Sequence, residues 1–338
     1  MPVSPFKRVL KRARGAGFET SFVRQALPVW WDDEAADHPS GLEEGIGYLA
    51  SRLGLAPSSL RDGPEATFET TVQPKFKTRS DVSRDALVPT EHVAVRALQL
   101  ALRAAPQPGP LRHLDARSLR RELLADRHPW VTFDLLLDWC WRNGIAVLHL
   151  STKVGKKKMD GLAARFAGLA FADGDRYGIA LCCNHKAPSW LLFHLAHEVA
   201  HVMLGHLPEN GVIVDESVDS RMEDEQEVEA DAYAWTLLSG TPSFEPFSNP
   251  GWNGPQLARA AAAQSQQLRI APGTLALSHG YRHGMWGAAQ SALKLLEGDR
   301  DAPQAARNAL LRQLDWPALS ADDVDYLRTL SGLDETRG

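Results

Sequence analysis

From Leu191 to Leu204 the chain is apolar at nearly every turn, through Leu191, Leu192, Phe193, Leu195, Ala196, Val199, Ala200, Val202, Met203 and Leu204. The pattern predicts a helix buried on almost all sides, with Pro188 and Ser189 in its first turn and Gly205 at its end. A second helix is expected over Met222 to Leu238. At about 100° per residue its inward arc carries Val228, Ala230, Ala234, Trp235, Leu237 and Leu238. Upstream, Phe133 to Arg142 reads as a helix capped by Asn143-Gly144, followed by a strand at Ile145 to Leu150. Leu162 to Leu169 and Tyr177 to Cys183 read as further strands.

Punctuation divides the rest. Pro106-Gln107-Pro108-Gly109-Pro110 follows a helical stretch from Glu91 to Arg103, and a second Pro/Gly-rich stretch runs from Gly240 to Pro255. Beyond it lie helical patterns at Gln256 to Leu268, Met285 to Glu297 and Pro303 to Leu314. The expected organisation is a mainly helical region 1–108, a central region 112–240 that holds both the Leu191 to Leu204 and the Met222 to Leu238 helices, and a helical region 241–338. Composition adds that 44% hydrophobic content in 338 residues is enough for real cores. No apolar run is long enough to span a bilayer, and the basic N-terminus lacks a signal-peptide core, so the expected compartment is the cytoplasm, with no membrane partner. Cys140, Cys182 and Cys183 form no disulfide framework, and a net charge of -5 exerts no general pull on nucleic acid.

The chemistry lies in the first helix. His197-Glu198-Val199-Ala200-His201 places two imidazoles one turn apart with a carboxylate beside the first, the H-E-x-x-H arrangement of hydrolytic zinc sites. Burying these groups is costly unless something satisfies them, and a cation does so directly. A catalytic zinc takes three protein ligands and leaves one position for water, so a third group is needed. Glu227 falls in the middle of the inward arc of the second helix and is the expected ligand. Glu229 turns to the far side with Ala232 and Thr236, reads as solvent-facing, and is the fallback; Glu223 lies a turn earlier among fewer apolar neighbours. Asp231, four residues after Glu227, is placed to accept the second ring N–H of a ligating histidine. Glu198 is the expected general base, taking a proton from water and returning it to the leaving amine. His194 falls between His201 and Glu198 on the wheel, either to position substrate or an oxyanion or as a hydrogen-bonded neighbour. Tyr177, Tyr233, His206 and His283 are further oxyanion candidates.

Together, H-E-V-A-H-V-M-L-G-H and the later E-V-E-A-D-A-Y-A-W-T-L-L resemble the ImmA/IrrE metallopeptidases over roughly residues 112 to 240. The resemblance implies an α+β fold with a zincin-like core, made of the H-E-x-x-H helix, the glutamate helix and a small sheet, between mainly helical flanks. It also implies a zinc endopeptidase, with manganese the alternative metal, that cuts a helix-turn-helix repressor in a stress, phage or mobile-element response. His194 departs from the small hydroxyl residue usual there, and Tyr233 from the usual phenylalanine.

Many such relatives carry or neighbour a helix-turn-helix module. Here Lys7, Arg8, Lys11, Arg12 and Arg14 form a basic cluster, and Leu49-Ala50-Ser51-Arg52-Leu53-Gly54-Leu55 resembles the second helix and turn of a repressor. Gly63-Pro64 stops the chain before a recognition helix could extend along a major groove, so a partner-binding or packing role is preferred to DNA binding. Trp30-Trp31 reads as the anchor of a small core, and Lys156-Lys157-Lys158 as a solvated loop. Two other functions compete with the peptidase: a DNA-binding regulator with a structural or vestigial metal site, and a toxin-antitoxin or phage-defence component controlled by its partner. Glu198 argues against the first, because a structural metal site has no use for a general base.

Overall fold

The computed structural model describes residues 4–69, 73–76, 88–150, 153–154, 157–158, 167–183, 185–208, 211–215, 225–243 and 249–333. The described chain is α+β. Four helices, α1 (Pro5–Gly15), α2 (Thr20–Gln25), α3 (Pro39–Leu53) and α4 (Pro57–Asp62), precede strand β1 (Gln73–Phe76) and the long helix α5 (Val88–Ala104). Then come α6 (Ala116–Leu123), α7 (Phe133–Arg142), β2 (Ile145–His149), the two-residue strands β3 (Lys153–Val154) and β4 (Lys157–Lys158), β5 (Gly168–Asp173) and β6 (Arg176–Leu181). The expected site helix is α8 (Pro188–Met203); β7 (Gly211–Asp215) and α9 (Glu225–Ser239) follow. The chain closes with α10 (Gly254–Leu268), α11 (Pro272–His283), α12 (Trp286–Glu297), α13 (Ala302–Gln313) and α14 (Ala321–Leu330).

Among the described residues one mixed sheet has the order β1-β7-β5-β6-β2. β5 runs antiparallel to both β6 and β7, while β2 lies parallel to β6 and β1 parallel to β7. Two close approaches show how the sheet is covered. A Cβ at Gly178 on β6 would lie 2.9 Å from Leu98 Cδ2 of α5, and one at Gly168 on β5 would lie 2.3 Å from Glu198 Oε1 of α8. Gly168 pairs with Leu181 and Phe171 with Gly178, three residues apart on each strand, so the two glycines face opposite sides of the sheet. Helices α5 and α8 therefore pack on opposite faces. Strand β2 is covered by α5, α7 and α13 and is buried along its whole length rather than at alternate positions.

Helices α10, α11 and α12 pack on one another around small apolar clusters that include Leu257, Ala276 and Leu293, and Ala261, Ile270 and Leu275. Glu297 of α12 accepts the Ser189 backbone N–H at 3.1 Å and so caps the start of α8, which has no cap of its own. Helices α13 and α14 return to the main core, where Tyr326 donates to the Arg52 carbonyl at 2.7 Å and Arg52 lies over the Tyr326 ring.

Several expectations change here. Of the strand expected over Leu162 to Leu169 only Gly168 and Leu169 lie in a strand, β5, which runs on to Asp173; residues 162–166 lie outside the described residues, as do Met222, Glu223 and Asp224 of the second expected helix. Lys156 is likewise outside them, whereas Lys157 and Lys158 form β4, not a loop. Trp31 packs against Phe6, with ring centroids 5.2 Å apart, but its neighbour Trp30 is 56% exposed and hydrogen-bonds to Asp322. The six-residue α4 ends at Asp62, before Gly63-Pro64. No described helix is long and apolar enough to cross a membrane.

Candidate metal centre

Helix α8 starts with Pro188 in its first turn and buries Leu191, Leu192, Leu195, Ala196, Val199 and Ala200. Its polar exceptions are buried too: His194, His197, Glu198 and His201 all lie in the interior. Helix α9 runs antiparallel across it, since Glu227 reaches both His197 and His201, Asp231 reaches His197, and Trp235 meets Phe193 one turn further on. These contacts fall at positions 227, 231 and 235, one stripe of α9. The arc is rotated from expectation, because Val228 is 61% exposed. The opposite side of α9 is also occupied, with Thr236 buried and Tyr233 donating to the Leu114 carbonyl at 2.7 Å just before α6.

Three donors converge. His197 Nε2 and His201 Nε2 are 3.1 Å apart, Glu227 Oε2 is 3.0 Å from the first, and Glu227 Oε1 is 3.3 Å from the second. The group can hold a metal ion, its ligand atoms all lying within 4.8 Å of one another. Bonds of about 2.0–2.1 Å in a tetrahedral arrangement separate ligand atoms by about 3.3–3.4 Å, close to the observed spacing.

Hydrogen bonds behind the rings define their tautomers. Asp231 Oδ1 lies 2.9 Å from His197 Nδ1, so that nitrogen carries the proton and Nε2 presents a lone pair. A longer relay serves His201. Glu229 Oε2 lies 3.1 Å from His206 Nε2, which donates to it; His206 Nδ1 then accepts from His201 Nδ1–H across 3.0 Å. His201 Nε2 is thereby left as a lone pair as well. Two bare nitrogens and a carboxylate facing one point repel each other unless a cation lies among them.

Glu229 is exposed, as expected, yet it is not a ligand: its carboxylate anchors the His206 relay from the solvent side. His206 comes back to His201 because Gly205, with φ +71°, turns the chain after α8. The H-x-x-x-H-x-x-x-x-H spacing contained that signal, although it does not separate an orienting role from an oxyanion role. The other oxyanion candidates lie elsewhere: Tyr233 is held by Leu114, His283 stacks on His279 at 4.9 Å, and Tyr177 meets His113 edge-on at 6.3 Å. Glu198, fully buried, lies against Gly168, which sequence reasoning did not single out. Beside it, burial and then the neighbours Cys183 and Glu198 push the Cys182 thiol well above its usual range. Burial holds His194 neutral, its imidazole pushed down to about 3. The three cysteines are free.

No protein-family model, curated protein or solved structure matches the chain.

Proposed function

We propose that this chain is a zinc-dependent endopeptidase with a zincin-like core, whose substrate is a helix-turn-helix repressor. The observation that carries the proposal is the pair of bare imidazole nitrogens and the Glu227 carboxylate aimed at one point, with a buried glutamate next along the helix. The donor set suits zinc: two imidazoles and one carboxylate, held from behind by Asp231 and by His206 with Glu229. When bound, zinc supplies Lewis acidity, polarising the scissile carbonyl and making water a better proton donor.

The remaining work falls to the chain. Glu198 takes a proton from the attacking water at a carboxylate oxygen and returns it to the leaving amine nitrogen as the C–N bond breaks. Gly168 leaves room for that carboxylate between α8 and the sheet. Asp231, His206 and Glu229 hold the imidazoles in the tautomers that keep Nε2 unprotonated. The repressor substrate rests on the motif resemblance alone.

The test is to incubate the zinc-loaded chain with a repressor encoded beside its gene. Wild type is expected to cut it at one site, and Glu198→Gln to keep its zinc but lose cleavage. Cleavage by both forms removes Glu198 as the base; cleavage by neither, with zinc bound, favours a regulator that only binds.

A further inference from the structure

The ligand-bearing faces of α8 and α9 do not end at the metal centre. Trp190 and His194 continue the stripe of His197 and His201 on α8, Phe193 borders it, and Trp235 continues the stripe of Glu227 and Asp231 on α9. Beyond the centre these side chains meet Leu277 of α11 and Trp286 of α12, and together they line a narrow slot with about 330 Å³ of empty space, part of it open to solvent. Tyr281, 44% exposed, forms its lip. The rings lie close to one another: Phe193 and Trp235 at 5.2 Å, Trp190 and Trp286 at 5.6 Å, Phe193 and His194 at 6.1 Å. Among the described residues, no Asp, Glu, Lys or Arg lines the slot. Trp190, Phe193, Trp235 and Trp286 are each only half-buried, which leaves apolar ring surface facing the opening.

Position and chemistry select the occupant. His194 and Phe193 precede His197 by three and four residues, about 4.5–6 Å along the helix axis. A residue flanking the bond held at His197 and His201 reaches that distance with its side chain, its α-carbon being about 3.8 Å from the next. The flat walls favour a planar ring over a branched chain, and a charged group there would give up its hydration with no partner. On the wall, His194 Nδ1 is buried and has no hydrogen-bond partner among the described residues. It is available to a peptide group entering beside the ring.

Resting on the peptidase reading above, we propose that the slot between α8, α9, α11 and α12 is the specificity pocket of this site and takes an aromatic side chain of the residue flanking the cleaved bond. The C-terminal helices α11 and α12 then contribute to substrate selection, with Leu277, Trp286 and Tyr281 as the selecting residues and Trp235 linking them to the metal centre.

The test uses the full chain loaded with zinc and three succinyl hydroxamates that differ only in the group beside the backbone carbonyl: benzyl, methyl or carboxymethyl. Affinities are read by titration calorimetry. The benzyl compound is expected to bind about 30-fold more tightly than the methyl compound, within the range set by apolar pockets, and the carboxymethyl compound most weakly. Leu277→Trp, which fills the slot, should take up zinc normally and bring the benzyl-to-methyl ratio toward one; Trp286→Ala, which opens it, should lower the ratio as well. Equal binding of benzyl and methyl compounds to wild type, or a ratio unchanged in Leu277→Trp, overturns the pocket while leaving the metal centre intact. Failure of the wild type to take up zinc, or of every hydroxamate to bind the loaded chain, removes the peptidase reading and the pocket with it.

Discussion

Replacing His206 by alanine tests the relay behind His201 without touching a ligand. His206 is buried, its Nδ1 lies 3.0 Å from His201 Nδ1, and its Nε2 lies 3.1 Å from Glu229. Without it, His201 Nδ1–H loses its acceptor, and the ring loses the contact that fixes both its rotation and its tautomer. Partners of this kind are worth about 10–100-fold in metal affinity. At about 1.4 kcal/mol per decade this is about 1.4–2.8 kcal/mol. Competition against a chromogenic zinc chelator at neutral pH measures it, with a circular dichroism melt of the zinc-free protein to confirm that α8 is still folded. Glu229→Gln keeps an acceptor oxygen, and its carboxylate is more than half exposed and screened by salt, so the loss should be only about two- to threefold. A zinc affinity for folded His206→Ala within about threefold of wild type would show that the relay does not orient His201, and the tautomer argument would then fail.

Other outcomes follow from the same geometry. Gly168→Ala places a methyl 2.3 Å from Glu198 Oε1 and 2.8 Å from its Cδ and Cγ, so repressor cleavage should fall at least tenfold while zinc affinity holds, with about 1–3 kcal/mol of overpacking strain in urea denaturation; full activity in this variant removes the assigned place of Glu198. Zinc at 100 times its dissociation constant should stabilise the fold by about 2.7 kcal/mol, read as a rise in melting temperature that a chelator abolishes; an unchanged melt speaks against a site formed only on folding. His149 gives a pH effect in the zinc-free protein. Burial lowers it from 6.5 to about 4, so stability is full above pH 6.5 and declines toward pH 4, where the unfolded chain binds a proton that the folded one does not. Urea midpoints should fall across that window, and flatter in His149→Gln; no difference between the two proteins excludes His149 as a source.

The parts of the fold legible in the sequence are those with strong local punctuation. Helix α7 runs from Phe133 to Arg142 as expected, because Thr132 caps its start and Asn143-Gly144 closes it. The α8 pattern was readable because burial on all sides leaves no polar stripe to misplace. Helix α11 escaped notice since Gly273 and Gly280 weaken its helical signal; there the structure uses small residues to let Ser189 and Trp286 approach. The start of α14 was readable in principle, as the Ser320 side chain accepts from Asp323 N–H three residues on, but Asp322, Asp323 and Asp325 mask its apolar face. At the site, the wheel put Glu227 inward and Glu229 outward, as found, but erred at Val228. A wheel knows one buried face, whereas α9 packs against α8 on one side and near α6 on the other. The Glu198–Gly168 contact and the aromatic slot join residues distant in sequence, and no local pattern encodes them.

X-ray absorption at the zinc edge, on the chain titrated with one equivalent of zinc, tests the central claim most directly. Two imidazole nitrogens and one carboxylate oxygen at about 2.0–2.1 Å, with one light-atom position left to solvent, is the expected shell, and it should lose a component in Glu227→Ala. A cysteine sulfur at about 2.3 Å, four protein ligands, or no stoichiometric zinc at all contradicts the account.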